Sequence, residues 1–146
     1  MAGVVYQIQL QQIGNLSLSV DPKKPPSRGG QLIVANPDPG DPLQLWQWIF
    51  YPQTQASILY NPKIDLFAAP LTLENEAPVV LFQMAPTYDG GNTWQVFQNS
   101  VARPPANTDL NLNASGEDGG PYAGSPVIVY FWQGGKANMH WTSVQV

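Results

Sequence analysis

The chain has 146 residues, a formal charge of −4, 11% charged residues, 15 prolines, 13 glycines and no cysteine. That length is enough to bury a core in one domain, and without thiols neither a disulfide framework nor a thiolate metal centre can form. The sparse, net negative charge disfavours nucleic acid as a partner, and no apolar run reaches the roughly 20 residues that a membrane-spanning helix needs.

Residues 4–10 alternate apolar and polar, with Val4, Tyr6, Ile8 and Leu10 on one face, so they predict a strand. Such a start, with no charged region or apolar run of a cleaved leader, leads us to expect a cytoplasmic protein, one exported without a signal, or a mature start. Gly14-Asn15 predicts a turn, after which Leu16, Leu18 and Val20 resume the alternation. The Pro-rich segment 21–30 carries Lys23, Lys24 and Arg28 and reads as a solvated loop. Strands are then expected over 31–36 and 43–51, separated by Pro37-Asp38-Pro39-Gly40-Asp41-Pro42, which fits neither helix nor central strand. The plan returns with strands at 57–60, 64–67, 79–84 and 94–98, and again near 101, at 110–113, 127–132 and 140–146. No stretch shows a sustained helical period.

The order is a repeat. Gln44-Leu45-Trp46, Asn92-Thr93-Trp94 and Met139-His140-Trp141 recur about 48 residues apart. The segments 30–34, 78–82 and 126–130 keep the same period without a gap, and Leu16-Ser17-Leu18 pairs with Ile64-Asp65-Leu66 and Leu110-Asn111-Leu112. Three four-stranded units, roughly 1–51, 52–98 and 99–146, bury their apolar faces in a six-stranded barrel capped by three hairpins. The expected fold is therefore all-β, a single β-trefoil domain of pseudo-threefold symmetry, since a propeller needs at least four blades. Trp46, Trp94 and Trp141 should meet in its core.

Gln44-x-Trp46 and its two degenerate copies resemble the Q-x-W signature of the ricin B-chain-like lectins. Leu110-Asn111-Leu112 and the segment 132–138 are similar to the L-D-V and aromatic-Gly-Gly-Asn stretches of that family, although its cysteines are absent here. The resemblance implies a non-catalytic protein without a cofactor that binds terminal galactose or N-acetylgalactosamine on glycans. In that family an Asp, a stacking aromatic and an Asn form each site. Carried over, the second unit offers Asp65, Phe82 or Tyr88, and Asn92, while the third offers Asn111, Trp132 and Asn138. The first has Ser17 in place of the Asp and no aromatic near Asn36, so no site is expected there. An Asp in a turn is also an ordinary solvated residue, and both readings of Asp65 stand.

A pyranose needs a ring for its C–H face and a carboxylate or amide for its hydroxyls, which these trios would supply. Two sites, or a homodimer, would add avidity. The alternative is a trefoil protease inhibitor or other protein-binding module that presents the rigid loops at Pro25-Pro26 and Pro104-Pro105. A targeting subunit of a toxin is a third reading. Catalysis has little support, because the single His140 has no evident partners, and the pairs Asp38/Asp41 and Glu117/Asp118 lack the pattern of a calcium loop. Asn15-Leu16-Ser17 and Asn113-Ala114-Ser115 are glycosylation sequons only if the chain is secreted.

Overall fold

The computed structural model describes residues 3–13, 16–24, 29–83, 92–96, 100–116, 120–132 and 137–146. Tyr88, the Pro25-Pro26 loop, Asn15 and the Glu117/Asp118 pair lie outside them. The described strands are β1 (Tyr6–Leu10), β2 (Ser17–Val20), β3 (Leu32–Ala35), β4 (Gln47–Tyr51), β5 (Ala56–Asn61), β6 (Leu66–Pro70), β7 (Val79–Phe82), β8 (Gln95–Val96), β9 (Ala102–Arg103), β10 (Leu110–Ala114), β11 (Val127–Phe131) and β12 (Trp141–Gln145).

Six of them close a barrel. β1 pairs with β12, β4 with β5 and β8 with β9, all antiparallel. The gaps between these pairs are bridged at Tyr6–Trp46 and Ser57–Trp94, and by the Trp141 amide donating to the Ser100 carbonyl at 2.8 Å. The other six form the hairpins β2–β3, β6–β7 and β10–β11, whose mouths join through bridges Gln31–Val80, Pro78–Ile128 and Pro126–Ile33. Each hairpin thus hands a backbone pair to the next and the third returns to the first. This is a β-trefoil, and the closed ring removes the unpaired sheet edges that invite aggregation.

That ring corrects the gap-free period expected for the cap strands. Gln31, Pro78 and Pro126 are equivalent, so the first unit is offset by one residue from the spacing of the other two. The consequence is visible in burial: Val34, Leu81 and Val129 lie in the core, whereas Ala35, Phe82 and Tyr130 lie half-buried on the other face. A slip of one residue exchanges the two faces of a strand, so the core selects the register.

Trp46, Trp94 and Trp141 sit in the central cluster with Leu18, Leu81 and Leu112. Their indole N–H groups donate to the carbonyls of Leu18, Ala68 and Leu112, each at 3.0 Å. Each indole therefore fills the core and also latches a barrel strand to its own unit's cap hairpin.

Residues 43–45, expected in strand, instead follow Asp41 into a 3-10 turn over Pro42–Gln44. Pro42 presets the turn and the Asp41 carboxylate accepts from the Leu43 amide at 3.0 Å. The turn swings Gln44 inward. Its side-chain nitrogen donates to Asn36 O at 2.9 Å, and its oxygen accepts from the Asp38 amide at 2.8 Å and from Gln7 Nε2 at 3.2 Å. Gln44 thus ties the Pro-rich loop to the barrel. Gln44→Ala should lower stability by about 1–3 kcal/mol, read as a lower urea midpoint at unchanged slope.

Candidate functional site

The three indole latches define equivalent positions exactly one residue upstream of their acceptors: Ser17, Phe67 and Asn111. Across the cap hairpins these face Ala35, Phe82 and Tyr130. On the barrel side Gln9 faces Ser17, Tyr60 faces Phe67, and Arg103 reaches Asn111. One polypeptide plan therefore carries three chemistries at one place: small and polar, aromatic, and cationic with amide.

This register moves Asp65. Ile64-x-Leu66 and Leu66-x-Ala68 present the same apolar pattern, and the Trp94 indole bond to Ala68 together with the pairing of Phe67 with Phe82 selects the second. Asp65 lies two residues earlier, in the exposed turn, and its true counterpart in the third unit is Asp109.

In the first unit Ser17 is fully buried with no hydrogen-bond partner for its hydroxyl, and Ala35 supplies no ring. In the second, Phe67 stacks on Phe82 with centroids 5.5 Å apart and planes at 23°, inside a small outer cluster with Ile58 and Ala69. The Tyr60 hydroxyl donates to Asp65 Oδ1 at 2.5 Å. Asp65 adopts φ 56°, in a turn that Asn61 fastens by accepting from the amides of Lys63 and Ile64 at 3.0 and 3.3 Å. The arrangement gives a carboxylate beside a phenol at the rim of an aromatic patch. Asn92 is half-buried in the turn leading into Trp94.

The hydrogen bond to Asp65, helped by burial and by the nearby negative charge, raises the Tyr60 pKa above the ordinary tyrosine value. The folded state thus favours the neutral phenol. Its stabilising contribution holds below about pH 10 and is lost as pH climbs through the raised value. Alkaline absorbance titration should show a Tyr60 transition that is lost in Tyr60→Phe and lowered in Asp65→Asn.

The third unit gathers the most groups. Asn111 is fully buried. Its Oδ1 accepts from Arg103 Nε at 2.9 Å, and its Nδ2 donates to the carbonyls of Asp109 and Tyr130, both at 3.3 Å. The Asp109 carbonyl also accepts from the Trp132 amide at 3.0 Å. The guanidinium carbon of Arg103 lies 5.4 Å from the centroid of the Trp132 ring, and the His140 ring meets that indole edge-on at 5.9 Å. Trp132 remains 42% exposed. Asn138 donates from Nδ2 to Ala114 O at 3.2 Å, which ties the 3-10 turn Ala137–Met139 to β10.

Of the expected trio, then, Trp132 faces solvent while Asn111 sits beneath the surface with both amide atoms engaged. Among the described residues, Arg103 and His140 meet the Trp132 ring. Arg103 was hidden because β9 is only two residues long and runs straight into Pro104-Pro105. The repeated Asp at positions 65 and 109 is a legible signal of the register, masked by the similar apolar flanks of the neighbouring positions.

The Pro104-Pro105 loop is fastened: Pro104 is buried, Asn107 N donates to Pro104 O at 3.1 Å and Asn107 Nδ2 to Leu73 O at 3.3 Å. The sequon residue Asn113 is buried within β10. Among the described residues no group of three His, Asp or Glu side chains could hold a metal ion.

No family model and no curated protein sequence matches the chain. Solved structures do. A designed threefold-symmetric protein, ThreeFoil, superposes with a TM-score of 0.80 at 18% identity, over 97% of this chain and 99% of that one. The C-half of an earthworm R-type lectin in complex with GalNAc gives 0.72 at 17%, over 99% and 100%. The Rhizoctonia solani agglutinin gives 0.80 at 15%, over 100% and 97%. At these identities the likeness establishes the β-trefoil fold.

Proposed function

We propose that the chain is a non-catalytic glycan-binding protein, a lectin-like β-trefoil that takes terminal galactose or N-acetylgalactosamine. Its main site is in the third unit and a second lies at Asp65, Tyr60 and Phe82. The observation that carries this reading is the exposed indole of Trp132, held against a cap hairpin with polar groups around it. The axial O4 of galactose gathers its C–H groups on one face, which lies flat on an indole while the hydroxyl rim meets the polar neighbours. In the second unit the carboxylate of Asp65 supplies the hydroxyl acceptor and Phe82 the apolar floor. The similar C-terminal half of an earthworm lectin was solved with GalNAc, and a mutant of an earthworm lectin C-terminal domain with 6'-sialyllactose, which favours the same use of this architecture.

Shallow sites of this kind should bind with dissociation constants on the order of millimolar to tens of micromolar, so useful avidity comes from two sites or from a dimer. The test is a glycan array followed by calorimetric titration with lactose and N-acetylgalactosamine. Saturable binding with a galactose-family preference supports the reading. Binding to no glycan on the array overturns it.

A further inference from the structure

We propose that two copies of the chain associate through the end of the barrel that lies away from the cap hairpins, in a two-fold interface centred on Phe50 and Val96. The association does not depend on the lectin reading above.

This end is where β4 turns into β5 over residues 52–55, where the β8–β9 pair ends at Val96–Ala102, and where β12 finishes beside the start of β1. Apolar surface collects there. Among the described residues nine large hydrophobic side chains are exposed, and five of them, Val4, Phe50, Val96, Val144 and Val146, lie at this end. Phe50 and Val96 are 55% and 54% exposed. Each follows a core tryptophan, Trp46 or Trp94, by an even number of residues, so both share the inner face of the barrel and stand at its mouth. Trp48 packs half-buried on the core above them, and its indole N–H donates to Ser143 Oγ at 3.2 Å, from β4 across to β12. The indole closes that part of the mouth, which leaves Phe50 and Val96 outside it.

The distribution of charge favours a second copy as the occupant. The six barrel strands carry one charged side chain, Arg103, at the end of β9 nearer the caps, and the turn 52–55 carries none. The other charged side chains of the described residues sit in the cap loops and turns, at Asp21, Lys23, Lys24, Asp38, Asp41, Lys63, Asp65, Glu74, Glu76 and Asp109. Two copies of net charge −4 repel each other, and contact through the barrel ends is the approach that keeps these loops farthest apart. A partner recognised by charge would find nothing to pair with on this face. An identical uncharged face is complementary to it under a two-fold axis, and interface cores are depleted of charge and enriched in aromatic side chains. The exposed glutamines 53, 55 and 145 supply a polar rim. β5 runs from this end to Asn61, beside Asp65, and β9 runs from it to Arg103, beside Trp132. The pair therefore carries both proposed glycan sites of each copy toward its two far ends, a geometry that bridges separate glycan-bearing surfaces.

Sedimentation equilibrium of the whole chain, without sugar, is the test. We expect a monomer–dimer equilibrium with a dissociation constant on the order of 10 μM. Sulfate should leave it unchanged or tighten it, because excluded salts strengthen apolar burial. Phe50→Glu should weaken the dimer at least about tenfold, since the two-fold axis brings a carboxylate from each copy onto the face. Val96→Glu should do the same, and it decides if Phe50→Glu does not fold. Leu71→Glu is the control, because Leu71 is 56% exposed in the β6–β7 turn of a cap hairpin, and it should associate as the native chain does. A native chain still monomeric at about 500 μM overturns the proposal. So does a dimer that dissociates as sodium chloride rises, one that folded Phe50→Glu and Val96→Glu leave intact, or one that Leu71→Glu disrupts equally. A monomer that binds zwitterionic lipid vesicles overturns it too, and assigns the face to lipid. A dimer that binds no glycan keeps this inference and removes the lectin reading alone, whereas a lactose-binding monomer does the reverse.

Discussion

Trp94→Ala should cost about 3–5 kcal/mol from lost burial and the cavity left behind, with about 1 kcal/mol more for the Ala68 carbonyl that loses its donor. The indole is fully buried in the central cluster, and its N–H is the link between the barrel strand and the β6–β7 hairpin. Domains of this size have about 5–15 kcal/mol in total, so one substitution would remove a large part of the stability. Thermal unfolding should move down by roughly 8–24 °C, at about 2–4 °C per kcal/mol for a chain of this length. Trp94→Phe separates the two terms, because it refills much of the volume and loses the latch, and it should cost about 1–3 kcal/mol. A midpoint for Trp94→Ala within about 1 kcal/mol of the native value would show that the indoles are not what fastens caps to barrel.

The same latch explains what could and could not be read from the sequence. Strand positions were legible because the period-two alternation is enforced by burial on one face, and the threefold repeat was legible because large indoles recur with the barrel strand that needs them. Exact register was not. Ile64-x-Leu66 and Leu66-x-Ala68 present the same apolar spacing, and the hydrogen bond that distinguishes them is made by a residue 26 positions away. The sequence likewise leaves the first-unit cap strand ambiguous by one residue, since runs such as Val79-Val80-Leu81-Phe82 are apolar on both faces.

Site chemistry was less legible still, because it depends on contacts between units. Asn111 was read as a ligand group by analogy with an exposed carboxylate, but the amide faces inward and holds Arg103. Position equivalence therefore survives divergence while role does not. At one trefoil position Ser17 is left without a partner, Phe67 packs an aromatic patch and Asn111 accepts from Arg103. Pseudo-symmetry fixes the backbone once, and the three side-chain sets can differ because each packs against its own neighbours. The sequence motif marks the barrel; the contacts around it decide which pocket can hold a ligand.

The second large effect is expected at Trp132. Trp132→Ala should weaken binding of galactosides at the third-unit site at least about tenfold, near 1.4 kcal/mol, because it removes the surface on which a pyranose would lie. It should leave the unfolding midpoint within about 1 kcal/mol, since the ring is 42% exposed and its backbone amide keeps the bond to Asp109 O. Those two readouts together separate a binding role from a packing role. Phe131 is the matched control: it is adjacent, 46% exposed and on the opposite side of the same strand end, so Phe131→Ala should bind as the native protein does. Asp65→Ala should remove only the weaker second-unit contribution, and the double variant Asp65→Ala with Trp132→Ala should lose the avidity of the pair on a multivalent surface. Calorimetry with free lactose and retention on a galactose matrix measure the single-site and paired effects separately. Binding by Trp132→Ala within twofold of native would place the ligand elsewhere on the trefoil, because no other change removes so much of this platform while leaving the core indoles latched.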